Sequence, residues 1–267
     1  MMTDMSQTTA MEPPARTRDG IVSASETGMV FPGPVVALED ASFHVKRGEF
    51  VSLIGPSGCG KSTLLRLVSG LIKPTAGRLN VFGTPVDGPR AEIGMMFQKP
   101  TLLDWKSVFD NVLLPITLAG TVTKADQTRA IDLIHLVGLK GFEFSYPRQL
   151  SGGMQQRVAL ARLLTSGAEL LLLDEPFGAL DEFTRERLNL ELMRIQSDLD
   201  ATILFVTHNI QEAVFLADRV FVMTPRPGRL AATIDVPLPR PRTIEMTKSP
   251  EYNDLVFNIR DTLGGFI

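Results

Sequence analysis

The chain has 267 residues, 44% of them hydrophobic and 21% charged, which is typical of a globular protein with one core, or with one core and an inserted lobe. Its 27 basic and 30 acidic residues give a formal net charge of −3. This balance argues against a whole-chain electrostatic footprint for nucleic acid but does not exclude a local patch. Cys59 is the only cysteine, so an intrachain disulfide is excluded.

The N-terminal stretch, residues 1–28, is rich in Thr, Ser, Pro and charged residues and is predicted to be disordered. It lacks the apolar core that a secretory signal requires. No apolar run in the chain approaches the roughly 20 residues needed to span a bilayer; the run at residues 170–173 is bounded by Glu169 and Asp174. The sequence therefore predicts a chain that does not cross a membrane by itself.

Short apolar runs alternate with helical patterns from Val35 onward, which predicts a parallel α/β architecture. Strands are predicted over residues 50–54, 78–82 and 93–97, with a helix over residues 61–71. After Gln98 the strand signal stops. Ser107 can cap a helix that Pro115 kinks or ends, and Thr123 with Asp126 resembles a capping box. These signals predict a helical lobe inserted at about residues 99–165.

The alternation resumes at Ser151 and continues to residue 223. Residues 225–250 are dense in Pro and Arg and are predicted to run extended over the surface. The helices and strands predicted in between are a helix to about residue 166, a strand over 170–173, a helix over 181–199, a strand over 202–206, a helix over 211–217 and a strand over 220–223.

A phosphate-binding loop is predicted between the strand at residues 50–54 and the following helix, because the segment has a Gly, four residues and then Gly-Lys-Ser. Glycines let successive backbone N–H groups point at phosphate oxygens, and the helix N-terminus adds its positive end. Lys61 supplies a charge for the β- and γ-phosphates, and the Ser62 hydroxyl can bind magnesium. The loop residues are Gly55, Pro56, Ser57, Gly58, Cys59, Gly60, Lys61 and Ser62. Cys59 is either a small residue that fits the loop or a site of thiol sensitivity.

Two carboxylates, Asp174 and Glu175, follow the apolar strand at residues 170–173. Ligands gather at the carboxyl ends of parallel strands, so both acids are expected near the phosphate loop. Asp174 is positioned to hold magnesium, and Glu175 can orient or deprotonate an attacking water. Without the loop upstream, the pair would more simply be a solvated strand end.

A second anion-binding element is predicted at the start of the helix after Leu150, where a Ser cap precedes two glycines. Two such devices on one chain would crowd a single nucleotide, whereas a head-to-tail homodimer lets each chain complete the site of the other. The residues of this element are Ser151, Gly152, Gly153 and Gln155.

Taken together, these segments resemble the ABC family of ATPases over about residues 31–223: the phosphate loop through Thr63 looks like Walker A, residues 170–175 look like Walker B, and residues 150–156 resemble the ABC signature. The resemblance implies an α/β fold, a P-loop NTPase core with a mainly parallel sheet, an N-terminal antiparallel β portion and an inserted helical lobe. It implies an ATPase domain over residues 29–230 and a partly extended, partly helical C-terminal extension over residues 231–267.

Four further residues match family positions. Gln98 matches the Q-loop glutamine that touches Mg²⁺ and senses the neighbouring subunit, and Asp181 lies in the D-loop at the dimer interface. His208 matches the switch histidine that contacts the γ-phosphate, which with Glu175 forms the catalytic pair. Phe31 is the candidate for stacking on adenine, although a Phe beside a Pro is commonly a packing residue.

A chain with a single ATPase domain and no long coiled-coil insertion resembles importer subunits. The resemblance therefore implies ATP and Mg²⁺, a homodimer, a separate transmembrane permease, an external solute-binding protein acting indirectly, no nucleic acid, and a peripheral position on the cytoplasmic face of the inner membrane. The alternatives are a nucleic-acid-handling ABC ATPase and a non-catalytic nucleotide-dependent scaffold.

Segments 102–105, 223–229 and 238–242 resemble the nitrate/sulfonate/taurine importer subfamily, whereas residues 181–185 and 188–192 resemble its thiamine-pyrimidine branch. Trp105 is either a rim aromatic or a permease-docking residue. The basic tail at residues 238–242 is interpreted as a solvated surface or a membrane-surface patch.

Overall fold

The computed structural model describes residues 20–266. Within this range the strands are β1 (Gly20–Phe31), β2 (Val35–Lys46), β3 (Phe50–Ile54), β4 (Ala76–Val81), β5 (Thr84–Pro85), β6 (Ile93–Met96), β7 (Leu170–Asp174), β8 (Thr202–Val206), β9 (Arg219–Met223) and β10 (Leu230–Asp235). The α-helices are α1 (Lys61–Val68), α2 (Val108–Val112), α3 (Leu114–Ala119), α4 (Lys124–Leu136), α5 (Gly152–Thr165), α6 (Glu182–Leu199), α7 (Ile210–Leu216) and α8 (Pro250–Gly264). Short 3₁₀ helices span Pro147–Gln149 and Ile244–Lys248.

The strands form two sheets. The main sheet has the order β10-β9-β3-β8-β7-β6, and its strands are parallel except at the β10–β9 edge. The second sheet, β2-β1-β4-β5, is antiparallel. The predicted α/β fold, with a mainly parallel sheet and an N-terminal antiparallel portion, is therefore confirmed.

The central strands of the main sheet, β3, β8 and β7, are fully buried, and their alternate side chains point into different cores. On one face Ile54, Leu173 and Phe205 pack with the helical lobe, α6, α7 and α8. On the other face Leu53 and Leu172 pack with α1 and the antiparallel sheet. Such two-sided burial explains why these strands are continuous apolar runs rather than alternating ones.

The segment between β6 and β7 folds as helices α2–α5 and one 3₁₀ helix. Ser107 caps α2 by accepting from the Asp110 N–H, and Thr123 with Asp126 forms the predicted capping box of α4. As predicted, the helix capped by Ser107 ends just before Pro115, at Val112. Pro115 itself lies in the first turn of α3, where its missing N–H costs no hydrogen bond.

The prediction of disorder over residues 1–28 is wrong from Gly20 onward, because β1 begins there and pairs with both β2 and β4. Register shifts on β1 and a positive φ of 48° at Glu26 interrupt the alternation of its apolar residues. Because of these irregularities, the sequence of β1 lacks the continuous alternation of apolar and polar residues that predicts a strand. The rest of the disorder prediction, residues 1–19, lies outside the described residues.

The prediction of an extended surface run over residues 225–250 is also wrong in part. Residues 230–235 form β10, which pairs antiparallel with β9, so the main sheet continues past the predicted domain boundary at residue 230. One face of β10 is exposed, and its short alternation was obscured by the surrounding Pro and Arg residues. The following segment ends in α8, which packs on α7.

The prediction of a solvated basic tail is wrong for Arg242, whereas Pro239, Arg240 and Pro241 are exposed; the membrane-surface alternative stays a prediction. Arg242 is buried, and its guanidinium donates to the carbonyls of Val214, Phe215 and Ala217 at the end of α7. Burial lowers its pKa to about 10, so it stays charged at neutral pH. A cation at a helix C-terminus satisfies orphan carbonyls and opposes the negative end of the helix dipole.

Among the helices of residues 20–266, none has both the length and the apolarity required to span a bilayer.

Candidate active site

Four neighbouring parallel strands, β3, β8, β7 and β6, end at one edge of the main sheet. The phosphate loop follows β3, His208 follows β8, Asp174 and Glu175 end β7, and Gln98 follows β6. Parallel strands place their carboxyl ends side by side, so segments far apart in sequence meet there. This edge of the sheet brings together most of the predicted site residues.

The phosphate loop turns tightly between β3 and α1. Gly60 precedes α1 with a φ of 104°, and a Cβ atom there would lie 2.9 Å from the Ala37 carbonyl oxygen, so only glycine fits. Lys61 is buried, and its Nζ donates to the carbonyls of Gly55 at 2.7 Å and Pro56 at 2.9 Å. These two bonds hold the ammonium over the loop.

The Cys59 side chain is fully buried beneath the loop, with its Sγ 3.7 Å from Lys61 Nζ. This position fits the interpretation of Cys59 as a small packing residue. An inaccessible thiol reacts poorly, so the alternative of thiol sensitivity has no support in this conformation.

Ser62 and Asp174 are joined directly, since the Ser62 hydroxyl donates to Asp174 Oδ1 at 3.0 Å. A hydroxyl and a carboxylate oxygen are ligands that Mg²⁺ accepts, usually together with waters and phosphate oxygens. The pair therefore fits a shared magnesium site. Asp174 is buried, and this burial raises its pKa, an effect that the hydrogen bond from Ser62 partly offsets.

We expect Asp174→Asn to raise the melting temperature of the protein in the absence of nucleotide and Mg²⁺. A carboxyl whose folded pKa lies above its unfolded value destabilises the fold once the pH exceeds the unfolded value, about 3.9 for Asp. The gain should therefore be largest near pH 8 and shrink towards pH 4. Thermal unfolding at several pH values measures it.

Asp181→Asn serves as the matched control, because the pKa of Asp181 is lowered rather than raised. The largest cause is the hydrogen bond that the Thr184 backbone N–H donates to its carboxylate, followed by the bond from the Thr184 side chain. That variant should show no gain. An Asp174→Asn protein that melts at or below the wild-type temperature at pH 8 would contradict the account of Asp174.

Glu175 lies at the centre of the site in a strained backbone conformation, with a φ of 48°. Its Oε2 accepts a hydrogen bond from Gln98 Nε2 at 3.0 Å and lies 3.6 Å from His208 Nδ1. A carboxylate flanked by an amide and an imidazole can hold a water and accept its proton. The structure thus brings Gln98, Glu175 and His208 together.

The second anion-binding element lies at the N-terminus of α5. Ser151 caps this helix by accepting from the Met154 N–H, and Gly152 is exposed. The element lines a surface cavity together with Asp181 and its neighbours, and no phosphate-loop residue lines that cavity. In the described chain the two anion-binding elements therefore do not share this cavity.

Gln155 does not face this cavity: its Nε2 donates to the carbonyls of Pro147 and Leu150, which holds the preceding loop in place. The next residue, Gln156, was missed by sequence reasoning. It is buried, donates to the Gln98 carbonyl at 3.4 Å and accepts from the Ala179 N–H at 3.3 Å. Two signals were available: Gln156 ends the segment that resembles the ABC signature, and it is a polar residue on an otherwise apolar face of α5.

Asp181 and Phe31 lie outside the cluster around Glu175. Asp181 is exposed and caps α6 by accepting from the Thr184 N–H at 2.9 Å. Phe31 ends β1, is half-buried and packs against the core beneath the antiparallel sheet. The stacking of Phe31 on adenine stays a prediction.

The chain is similar to known proteins of one family. The model of the ABC transporter family matches residues 38–178. A nitrate import ATP-binding protein of Synechococcus elongatus is 44% identical over 248 residues, covering 90% of each chain. A taurine import ATP-binding protein of Rhizobium johnstonii is 44% identical over 236 residues, covering 86% of this chain and 89% of that one. A dimeric ATP-binding cassette in a post-hydrolysis state, bound to ADP and phosphate, superposes with a TM-score of 0.73 at 29% identity, covering 80% of this chain and 98% of that chain.

Proposed function

The chain belongs to the ABC transporter family and is an ATP-binding ATPase subunit, and from this premise we propose that it energises solute import through a separate membrane permease as a head-to-tail dimer. The dimer is supported by the separate positions of the two anion-binding elements of one chain, one at the phosphate loop and one at Ser151. Each is half of a site, and a second copy in the reverse orientation supplies the other half.

ATP binds with its phosphates on the loop residues 55–63. Lys61 Nζ leaves the Gly55 and Pro56 carbonyls for the β- and γ-phosphates, and the first backbone N–H groups of α1 point at the same oxygens. The Ser151 hydroxyl and the N–H groups of Gly152 and Gly153 on the partner subunit close over the γ-phosphate from the other side. Asp181 lies beside this element and contributes to the dimer interface.

Hydrolysis is carried by Glu175, which holds the attacking water and takes its proton. Gln98 and His208 orient the Glu175 carboxylate, and His208 also contacts the γ-phosphate. Ser62 and Asp174, with Gln98 nearby, would hold Mg²⁺, which would neutralise charge on the phosphates. Phosphate release removes the contacts to Ser151, so the dimer reopens.

The permease docks on the helical lobe, residues 99–165. This lobe exposes large apolar side chains to solvent: Trp105 is 72% exposed, Leu118 79% and Phe144 76%. A Trp side chain that becomes buried at the centre of an interface often contributes much of the binding energy. The lobe also holds Gln156, which bonds to the backbone of Gln98, so a movement at the docking surface reaches the Glu175 water.

Two relatives act in nitrate and taurine import, which supports import of a small anionic or zwitterionic solute delivered to the permease by an external binding protein. The thiamine-pyrimidine branch stays a prediction. Attachment to a permease places the chain on the cytoplasmic face of the inner membrane.

Two other functions compete. A nucleic-acid-handling ATPase would show hydrolysis stimulated by DNA or RNA, but the net charge of −3 favours no such ligand. A non-catalytic scaffold would bind ATP without turnover, but the contact of Glu175 with Gln98 and His208 supports catalysis.

Affinity purification of the tagged chain from mildly solubilised membranes tests the proposal. We expect a polytopic permease to copurify, and Trp105→Ala to weaken its binding by about 30-fold, which corresponds to a hot-spot loss of about 2 kcal/mol. Phe257→Ala, an exposed aromatic on α8 outside the lobe, is the matched control and should retain the permease. Recovery of the chain without any membrane protein would contradict the import function.

A further inference from the structure

Two successive hydrogen bonds stabilise the loop that carries His208, residues 207–209, which we call the switch loop. The Asn209 N–H donates to Thr207 Oγ1 at 3.0 Å, and the Thr207 hydroxyl donates to Glu212 Oε2 at 2.5 Å. Because the Thr207 oxygen already accepts from Asn209, its own proton is free for Glu212. The residues on both sides of His208 are thus fixed by one carboxylate.

The spacing of Asn209 and Glu212 fits a capping box, in which the carboxylate would bond the N–H of the cap residue. Asn209 does cap α7, since its Oδ1 accepts from the Glu212 N–H at 3.1 Å. The Glu212 carboxylate, however, accepts from Thr207, one turn earlier in the chain. The Glu212 carboxylate therefore bonds the residue before His208 instead of the N–H of the cap residue Asn209.

The Glu212 carboxylate is buried and only partly hydrogen-bonded. It is only 7% exposed, and its Oε1 has no hydrogen-bond partner among residues 20–266. Burial raises the pKa of its carboxyl, while Thr207, Arg185, Asn189 and His208 around it favour the ionised form. A buried, half-satisfied carboxylate costs stability that an apolar residue would not, which indicates a role other than folding.

We propose that Glu212 is a positioning residue for ATP hydrolysis, which acts through Thr207 to hold the His208 ring beside Glu175. This inference rests on the proposed role of His208. The carboxylate keeps the switch loop in one conformation, so the ring meets Glu175 Oε2 without a search through other backbone conformations.

Steady-state kinetics give the first test. We expect Glu212→Ala and Thr207→Val to lower kcat for ATP at least about tenfold while the KM changes less than about twofold, because binding energy is not removed. Glu212→Gln and Thr207→Ser keep the hydrogen bond and should restore most of kcat. Glu186→Ala is the matched control, because Glu186 lines the same cavity as Glu212 at its half-exposed rim.

NMR of the histidine rings separates positioning from catalysis, and it is practicable because the chain has three histidines. We expect the His208 signals to move in Glu212→Ala and Thr207→Val and to stay in place in Glu186→Ala. A fall in kcat with unmoved His208 signals would overturn the proposed path through His208, and unchanged kcat with unmoved signals would overturn the role of Glu212. Moved signals with unchanged kcat would instead overturn the catalytic role of His208 in the proposed function.

Discussion

Glu175→Gln is expected to lower ATP turnover by about 10²- to 10⁴-fold, the usual contribution of a positioned general base. Glutamine keeps the size of the side chain and can still accept from Gln98, but it cannot take a proton from water. The strained φ of 48° at Glu175 holds the group at the strand end in both proteins. ATP affinity should therefore change little, since the amide is isosteric with the carboxylate.

Phosphate release under single-turnover conditions measures the chemical step, and equilibrium ATP binding measures affinity. Glu169→Gln is the matched control, because Glu169 lies just before the same strand, where it pairs with Arg47 at the surface. That variant should hydrolyse ATP normally. Turnover of Glu175→Gln within about threefold of the wild type would remove Glu175 from the role of general base.

Lys61→Ala should weaken ATP binding by about 10- to 100-fold or more and reduce hydrolysis accordingly, since each hydrogen bond to a charged group contributes about 1.5–3 kcal/mol. Lys61 Nζ makes two bonds to loop carbonyls, and we expect phosphate oxygens to replace both when ATP binds. In the alanine variant those carbonyls lose a donor as well, so the empty loop is also less ordered.

Isothermal titration with ATP and Mg²⁺ measures the loss, and thermal unfolding shows whether the fold survives. Lys73→Ala, just after α1 and outside the loop, is the control and should bind ATP with wild-type affinity. Wild-type affinity in a folded Lys61→Ala protein would place the phosphates elsewhere.

The catalytic edge of the sheet was predictable because its motifs are local. The phosphate loop is a run of residues whose spacing alone specifies its backbone, and the acids of β7 follow directly from a buried strand. Gln98 and His208 were identified by their resemblance to ABC family motifs, and both follow parallel strands that end at the same edge. The structure places the side chains of Ser62 and Asp174, and of Gln98 and Glu175, in direct contact.

The residues that the sequence did not reveal act over long separations. Gln156 bonds a residue 58 positions away, and Arg242 bonds carbonyls 25 to 28 positions away. Neither residue type predicts such a partner, since a Gln in a helix or an Arg in a Pro-rich segment is usually solvated. The β10 edge strand was hidden for a similar reason, because pairing with β9 rather than local propensity determines it.

Sedimentation velocity of the Glu175→Gln protein with ATP tests whether a second copy of the chain completes each ATP site. We predict a shift from the 29.3 kDa monomer to a species of twice that mass when ATP is added. We also predict that a second substitution, Ser151→Ala, weakens this dimer, since in the proposed dimer the Ser151 hydroxyl contacts the γ-phosphate bound by the other subunit. A protein that binds ATP yet stays monomeric, or a dimer indifferent to both ATP and Ser151, would contradict the head-to-tail arrangement.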